Sequence, residues 1–234
     1  MTPPPLFVAQ TNLQLYSQMV QSHFDEPCLA LVNDAYLLAA RGTGGLLRGS
    51  GKPFVCHLVG AASLVAHAGQ DGSCIAATLL HATYQNRVDA GTPLQQRDTI
   101  RRRFGSKVES LVSGYHEFAS VPLREIDDGC LRRMREVAIM RLADEIEDLL
   151  DHGIAMHGAP GDGEQVVGSA AFRRAAKIRA EPELRRIAAA LNASALEGLL
   201  AYWLAQTIRM PWPSALRTGE YSSFRVPSSV DSPG

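Results

Sequence analysis

The sequence predicts an all-α fold, and three observations carry that reading. Apolar residues recur at helical spacing through most of the chain. No stretch longer than a few residues alternates as a strand would. Glycine and proline punctuate the boundaries between the periodic runs. With 234 residues, the chain can build one hydrophobic core with appended helices.

Residues 1–10 are proline-rich and expected to be irregular, and a first helix follows to about Ser22 with Leu13, Leu15, Tyr16, Met19 and Val20 as its apolar set. Pro27 sits where a second helix begins. Its apolar positions (Leu29, Leu31, Val32, Ala35, Tyr36, Leu38, Ala39) run to Ala40, where Gly42, Gly44 and Gly45 end the run. These glycines lack phosphate-loop spacing and lead into a turn-rich connector, Leu46 to Pro53. A third helix spans Phe54 to Ala68 and carries His57. Asp71-Gly72 breaks it, and Ser73 is the expected cap of a fourth helix, Cys74 to about Gln85, which is apolar nearly all round. Beyond a polar loop, Leu94–Phe104 and Ser106–Phe118 form two helices separated by Gly105. Cys130 to His152 holds helical period as one long helix. Residues 153–168, rich in glycine, read as a mobile loop. Two more helices are expected over about 169–191 and 194–209, interrupted near Pro182, before an extended tail from Pro211. The chain therefore divides into an N-terminal segment with one helix (1–26), a helical core (27–160), C-terminal helices packed on that core (161–210) and an extended or flexible tail (211–234).

Composition narrows the partners. The chain has 23 Lys+Arg against 24 Asp+Glu, so no basic excess calls for nucleic acid. The four cysteines form no Cys-x-x-Cys pair and read as thiols in a reducing compartment. The N-terminus lacks a signal-peptide pattern, and no apolar run approaches the ~18 residues of a membrane span. A cytoplasmic protein with no membrane association is expected.

His57, His81 and Asp144 lie on three different predicted helices. Imidazole nitrogens and a carboxylate oxygen suit a divalent metal such as Mn, Fe or Zn, with positions left open for water and substrate. Taken singly, each histidine reads first as a hydrogen-bonded core or surface residue. An ordered set of matches lifts them. The run Arg48-Gly49-Ser50-Gly51-Lys52-Pro53-Phe54-Val55-Cys56-His57 is followed by Leu79-Leu80-His81, by Phe104-Gly105 with Val108 and Leu111-Val112-Ser113-Gly114, and by Arg141-Leu142-Ala143-Asp144. Over about residues 27–155 this resembles the hydrolase domain of the RelA/SpoT family, within the HD-domain metal-dependent phosphohydrolases. The resemblance implies an HD-domain-like helical bundle with additional C-terminal helices.

It also implies site residues. In that family the first histidine, a His-Asp pair and a later aspartate hold a divalent metal, usually manganese. His57, His81 and Asp144 match three of the four positions, and Ala82 departs at the fourth. The family's Glu-Asp pair that serves the hydrolytic water is here Gln85 and Asn86, which hydrogen-bond but cannot act as general bases. Losing these acids weakens metal binding unless other groups substitute. Asp148 is the candidate substitute: it lies four residues after Asp144 on the same helix face, in a run continued by Asp151, and the helix macrodipole opposes such acids near a C-terminus. Arg48 and Ser50 match positions that contact the nucleotide in the family. Arg141 replaces a usual lysine, and Tyr84 replaces a small apolar residue beside the site.

Three functions follow. The first is a divergent RelA/SpoT-like protein that is not an ordinary ppGpp hydrolase and binds a small phosphorylated or nucleotide-like ligand in the His57/His81/Asp144 pocket, with Arg48, Ser50, Gln85 and Asn86 contacting it. The second is a metal-dependent enzyme, a phosphohydrolase or an Fe(II) oxygenase, using a two-His-one-Asp site with Asp148, Tyr84 and Arg141 as catalytic candidates. The third is a partner-binding or self-associating module presenting Tyr202-Trp203-Leu204 and the Trp212 tail.

Overall fold

The element boundaries are set by side chains that satisfy the free N–H groups of each first turn. The computed structural model describes residues 6–48, 52–86, 93–150 and 182–205. Helix α1 (Asn12–Gln21) starts at a capping box between Thr11 and Gln14, and α2 (Glu26–Thr43) at Asp25, whose carboxylate accepts from the Cys28 N–H with Pro27 in the first turn. Helix α3 (Phe54–His67) is buried along most of its length. Asp71, not the expected Ser73, caps α4 (Gly72–Leu80) by accepting from the Cys74 N–H.

The expected single helix from Cys74 to Gln85 is in fact two. Helix α4 ends at Leu80, His81 forms its C-cap, and a one-turn helix α5 (Thr83–Asn86) follows. Gly105, at φ 89° and ψ 167°, breaks α6 (Pro93–Phe118) at the residue where the sequence places a boundary; the left-handed region favours glycine. The long helix expected from Cys130 is likewise divided, into α7 (Asp128–Arg133) and α8 (Arg135–Leu150), because Met134 leaves the helical region at φ −116° and ψ 37°. A single non-helical residue leaves the apolar period almost unchanged, which is why the pattern alone reads through both breaks. The last described helices are α9 (182–190) and α10 (Ser194–Ala205), joined through Asn192 in the left-handed region at φ 51°.

No strand occurs among the described residues; the single antiparallel bridge, Leu47 with Pro53, closes the connector before α3. Helix α4 packs against α2, α3 and α6, while α3 packs against α8, so α3 and α4 are the central pair. Leu58, Leu64, Ile75, Leu79 and Leu80 are at most 1 % exposed there, and Ile139 and Ile146 of α8 are fully buried. Only Leu15 and Met19 of α1 reach this core. Leu13, Tyr16 and Val20, read from sequence as part of the same apolar face, are 72, 48 and 46 % exposed, because α1 lies at the surface and turns one narrow stripe inward. The glycine-rich stretch 153–168, Ser50, Asp151 and the segment from Pro211 lie outside the described residues. No helix among the described residues is long and apolar enough to cross a membrane.

Candidate functional site

Three buried elements deliver the histidines and acids to one point. His57 sits in the first turn of α3 and is fully buried; His81 ends α4 at 6 % exposure; Asp144 projects from the middle of α8. Asp144 Oδ1 lies 3.0 Å from His57 Nε2 and 3.6 Å from His81 Nε2. The two imidazoles meet edge to face, their centroids 5.6 Å apart. Sequence separation gives no hint of this meeting; the packing of α3 between α4 and α8 produces it.

Each ring is oriented from behind. His81 Nδ1 stands 2.7 Å from the Thr78 carbonyl, which can only accept, so Nδ1 carries the proton and Nε2 presents a lone pair toward Asp144. Burial pulls the His81 pKa down to about 4, with His57 adding to the effect against the attraction of Asp144. His57 Nδ1 lies 2.5 Å from Glu147 Oε2, while its buried Nε2 has no aligned hydrogen-bond partner. Burial and Arg48 both disfavour a proton on His57, yet Glu147 and Asp144 outweigh them and lift its pKa to about 9. Tyr115 of α6 donates to Asp144 Oδ2 at 2.7 Å, and its ring packs against that of His81 at a tilt of 54°, centroids 4.8 Å apart. Burial, then Asp144, holds its phenol well above the usual range, so it remains a donor.

The connector before α3 supplies cations. Arg48 pairs with Asp148 and Lys52 with Glu147, both in close contact. Glu147 has no exposed side-chain surface; burial would raise its pKa, but His57 and Lys52 hold it below the ordinary carboxylate range. Asp148 goes the other way: burial raises it in spite of Arg48 and His57. Asp148 stands 3.7 Å from His57 Nδ1, on the nitrogen opposite the one facing Asp144 and His81. Room for Glu147 comes from Gly60, one turn after His57, where a Cβ would fall 2.7 Å from Glu147 Oε1. Because His57 and Lys52 pin that carboxylate, Gly60→Ala is expected to destabilise the fold by about 2 kcal/mol despite alanine's better helix propensity, measured by urea unfolding. An unchanged midpoint would show that Glu147 can move aside.

Other residues singled out from sequence are placed differently. Tyr84 donates to Glu109 Oε1 at 3.3 Å, and Glu109 also receives Arg97 and Arg101, each at 2.9 Å, tying α5 to both halves of α6. Arg141 donates to the Ala119 carbonyl at 2.5 Å and to Glu145 at 2.6 Å. Neither contact is with the histidine pair. Ala82 is buried at 2 % exposure and offers no ligand atom. The side chains of Gln85 and Asn86, and Ser50 as a whole, lie outside the described residues.

Glu147, Tyr115 and Lys52 are the site residues that sequence reasoning does not single out. Glu147 is three residues after Asp144 and shares its face as fully as Asp148 does, a signal that was available. Tyr115 reads as one more apolar position, and Lys52 as part of a loop.

A family model for the HD domain matches residues 35–153, just over half of the sequence. The chain belongs to the HD-domain family. Its relatives are RelA/SpoT-like. It is 27 % identical over 134 residues to the bifunctional (p)ppGpp synthase/hydrolase SpoT of Escherichia coli, covering 57 % of this chain and 18 % of that protein. It is 27 % identical over 129 residues to a probable GTP pyrophosphokinase of Mycobacterium leprae, covering 52 % and 16 %, and 30 % identical over 129 residues to a GTP pyrophosphokinase of Streptomyces antibioticus, covering 52 % and 15 %. The chain thus spans less than a fifth of the length of these relatives.

The residues present fit the divalent metal that the fold family implies. Ligand bonds of about 2.1 Å set donor atoms roughly 3.0–3.4 Å apart at octahedral to tetrahedral angles. The 3.0 and 3.6 Å separations about Asp144 Oδ1 fall close to that range, and the ligand atoms of His57, His81 and Asp144 all lie within 4.8 Å of one another. The buried Nε2 of His57, 3.0 Å from Asp144 Oδ1 but without an aligned hydrogen bond among the described residues, is the atom such an ion would satisfy.

Proposed function

We propose that this chain is a divalent-metal-dependent hydrolase acting on a small phosphorylated substrate, with His57, His81 and Asp144 as the ligands, and that it is not an ordinary (p)ppGpp hydrolase. The observation that carries this reading is the approach of both histidine Nε2 atoms to one oxygen of Asp144, with His81 locked as an Nε2 donor by the Thr78 carbonyl. When bound, the metal supplies Lewis acidity toward a phosphoryl oxygen and lowers the pKa of water. The chain's residues do the rest. Tyr115 holds the second oxygen of Asp144, so the carboxylate keeps one oxygen toward the histidines. Asp144 is the most exposed of the three, its side chain 16 % accessible against 0 and 7 % for His57 and His81, and substrate is taken to approach from its side. Arg48 and Lys52 bring positive charge to the Nδ1 side of His57, and both are already engaged by Asp148 and Glu147. Such partly neutralised cations favour a substrate with one phosphate group over a highly charged bis(diphosphate). With Ala82 in place of a fourth ligand, the water must be activated without the acids the RelA/SpoT resemblance leads one to expect.

Protein prepared without chelator and loaded in turn with Mn(II), Fe(II) and Zn(II) tests this. The expected result is one metal per chain, with inorganic phosphate released from a panel of nucleoside and sugar monophosphates and none of the ordinary cleavage of (p)ppGpp. Absence of stoichiometric metal would leave a ligand-binding protein without metal chemistry and end this reading. A two-His-one-carboxylate set also suits ferrous oxygen chemistry. Fe(II)-dependent oxygen uptake with no phosphate release would favour that second reading.

A further inference from the structure

We propose that Glu147 is a positioning residue that acts through His57: it fixes the ring as an Nε2 ligand and supplies, from behind the imidazole, part of the negative charge that Ala82 withholds from the metal side. This deepens the proposed metal reading and rests on it. The geometry is that of a carboxylate–histidine–metal relay. Glu147 Oε2 lies 2.5 Å from His57 Nδ1, and the opposite nitrogen faces Asp144 and His81. A hydrogen bond of this kind sets the ring's tautomer and orientation and makes the ligating nitrogen more basic.

Three independent features show that the position is built for a carboxylate. Gly60 leaves a notch in α3 that Glu147 fills; any Cβ there would lie 2.7–3.0 Å from the carboxyl group. Lys52 meets Oε1 of the fully buried carboxylate and leaves Oε2 to His57. Asp148, the neighbouring acid, is turned to Arg48 and stays 3.7 Å from the same nitrogen, so it does not compete for the role. Carboxylate charge absent at position 82 is thus present on α8, behind His57.

The test is Co(II) affinity by chelator competition, together with the visible absorption of the bound ion, for wild type, Glu147→Gln and Glu147→Leu. Gln keeps the volume and an oxygen for the Nδ1–H but loses the charge, whereas Leu loses both. Gln is expected to bind about 10-fold more weakly and Leu about 100-fold, with the Co(II) band shifted in Leu and largely restored in Gln. A residue that only packs would leave the band of bound Co(II) unchanged. Should Leu fail to fold, Gln still decides through its affinity. Wild-type affinity and an unaltered band in the folded variants would overturn the role of Glu147 while leaving the metal site standing; no Co(II) binding by wild type would remove both.

Discussion

His57→Ala is expected to lower stability by about 3–5 kcal/mol and to abolish stoichiometric metal binding. The imidazole is the hub of the buried charge on α8: Glu147 lies at 2.5 Å, Asp144 at 3.0 Å and Asp148 at 3.7 Å. Alanine leaves Glu147, which has no access to solvent, to Lys52 alone among the described residues, and opens a cavity against Phe54, whose ring centroid is 5.5 Å from that of His57. His57→Gln separates the two effects. Its amide can donate to one carboxylate and fill most of the space, so stability should return in part, but metal should not. Urea unfolding in the presence of EDTA and elemental analysis of reloaded protein read the two separately. A loss under about 1 kcal/mol in His57→Ala would mean that the α8 carboxylates relax into solvent and that the hub is not structural.

The all-α class was legible because burial of one face enforces the helical period, and long periodic runs such as Leu131 to Leu150 exceed the length of a strand. What the period conceals is where a helix pauses. Gly105 announced its break through residue type, since only glycine enters the left-handed region freely. Met134 and Ala82 announced nothing, because a methionine and an alanine are good helix formers and the turns they occupy are set by the elements around them. The break at His81-Ala82 matters most: it ends α4 so that Nδ1 of His81 reaches back to the Thr78 carbonyl.

The site was legible as far as residue type and resemblance reach. His57, His81 and Asp144 were named from matched positions, and the fold brings them together. Sequence singles out Asp148 but not the supports Tyr115 and Glu147, for different reasons. Tyr115 is an aromatic at a core-facing position, and its hydroxyl gains meaning only once Asp144 is known to lie 2.7 Å away. Glu147 and Asp148 are adjacent in sequence, and spacing cannot say which of the two turns to His57. The choice is made by Gly60 and Arg48, residues about 90–100 positions away on other elements.

The stability of the metal-free protein is expected to peak near pH 6.5 and to fall on both sides. On the alkaline side the cause is His57. Its folded pKa of about 9 exceeds the ordinary 6.5, so its contribution is full below pH 6.5 and is lost as pH rises through 9. The span corresponds to about 3 kcal/mol. On the acid side the cause is His81, whose folded pKa of about 4 lies below 6.5. The unfolded chain takes up a proton that the folded protein refuses, so stability is full above pH 6.5 and drops, by a similar amount, as pH falls toward 4. Glu147, held low by His57 and Lys52 against its burial, adds to the acid loss once pH falls through its folded value; Asp148, raised by burial, works against it. The alkaline limb is the cleaner diagnostic, because the thiols of Cys28, Cys56 and Cys74 are all shifted upward from 9.0 and so act above the window. Urea midpoints in EDTA from pH 4 to 10 should trace the dome, and saturating metal should flatten its alkaline side, since the ion takes the place of the His57 proton. A midpoint that stays level from pH 6.5 to 9 in EDTA would show that His57 is neutral between its carboxylates, and that Glu147 and Asp144 do not hold a proton on the ring.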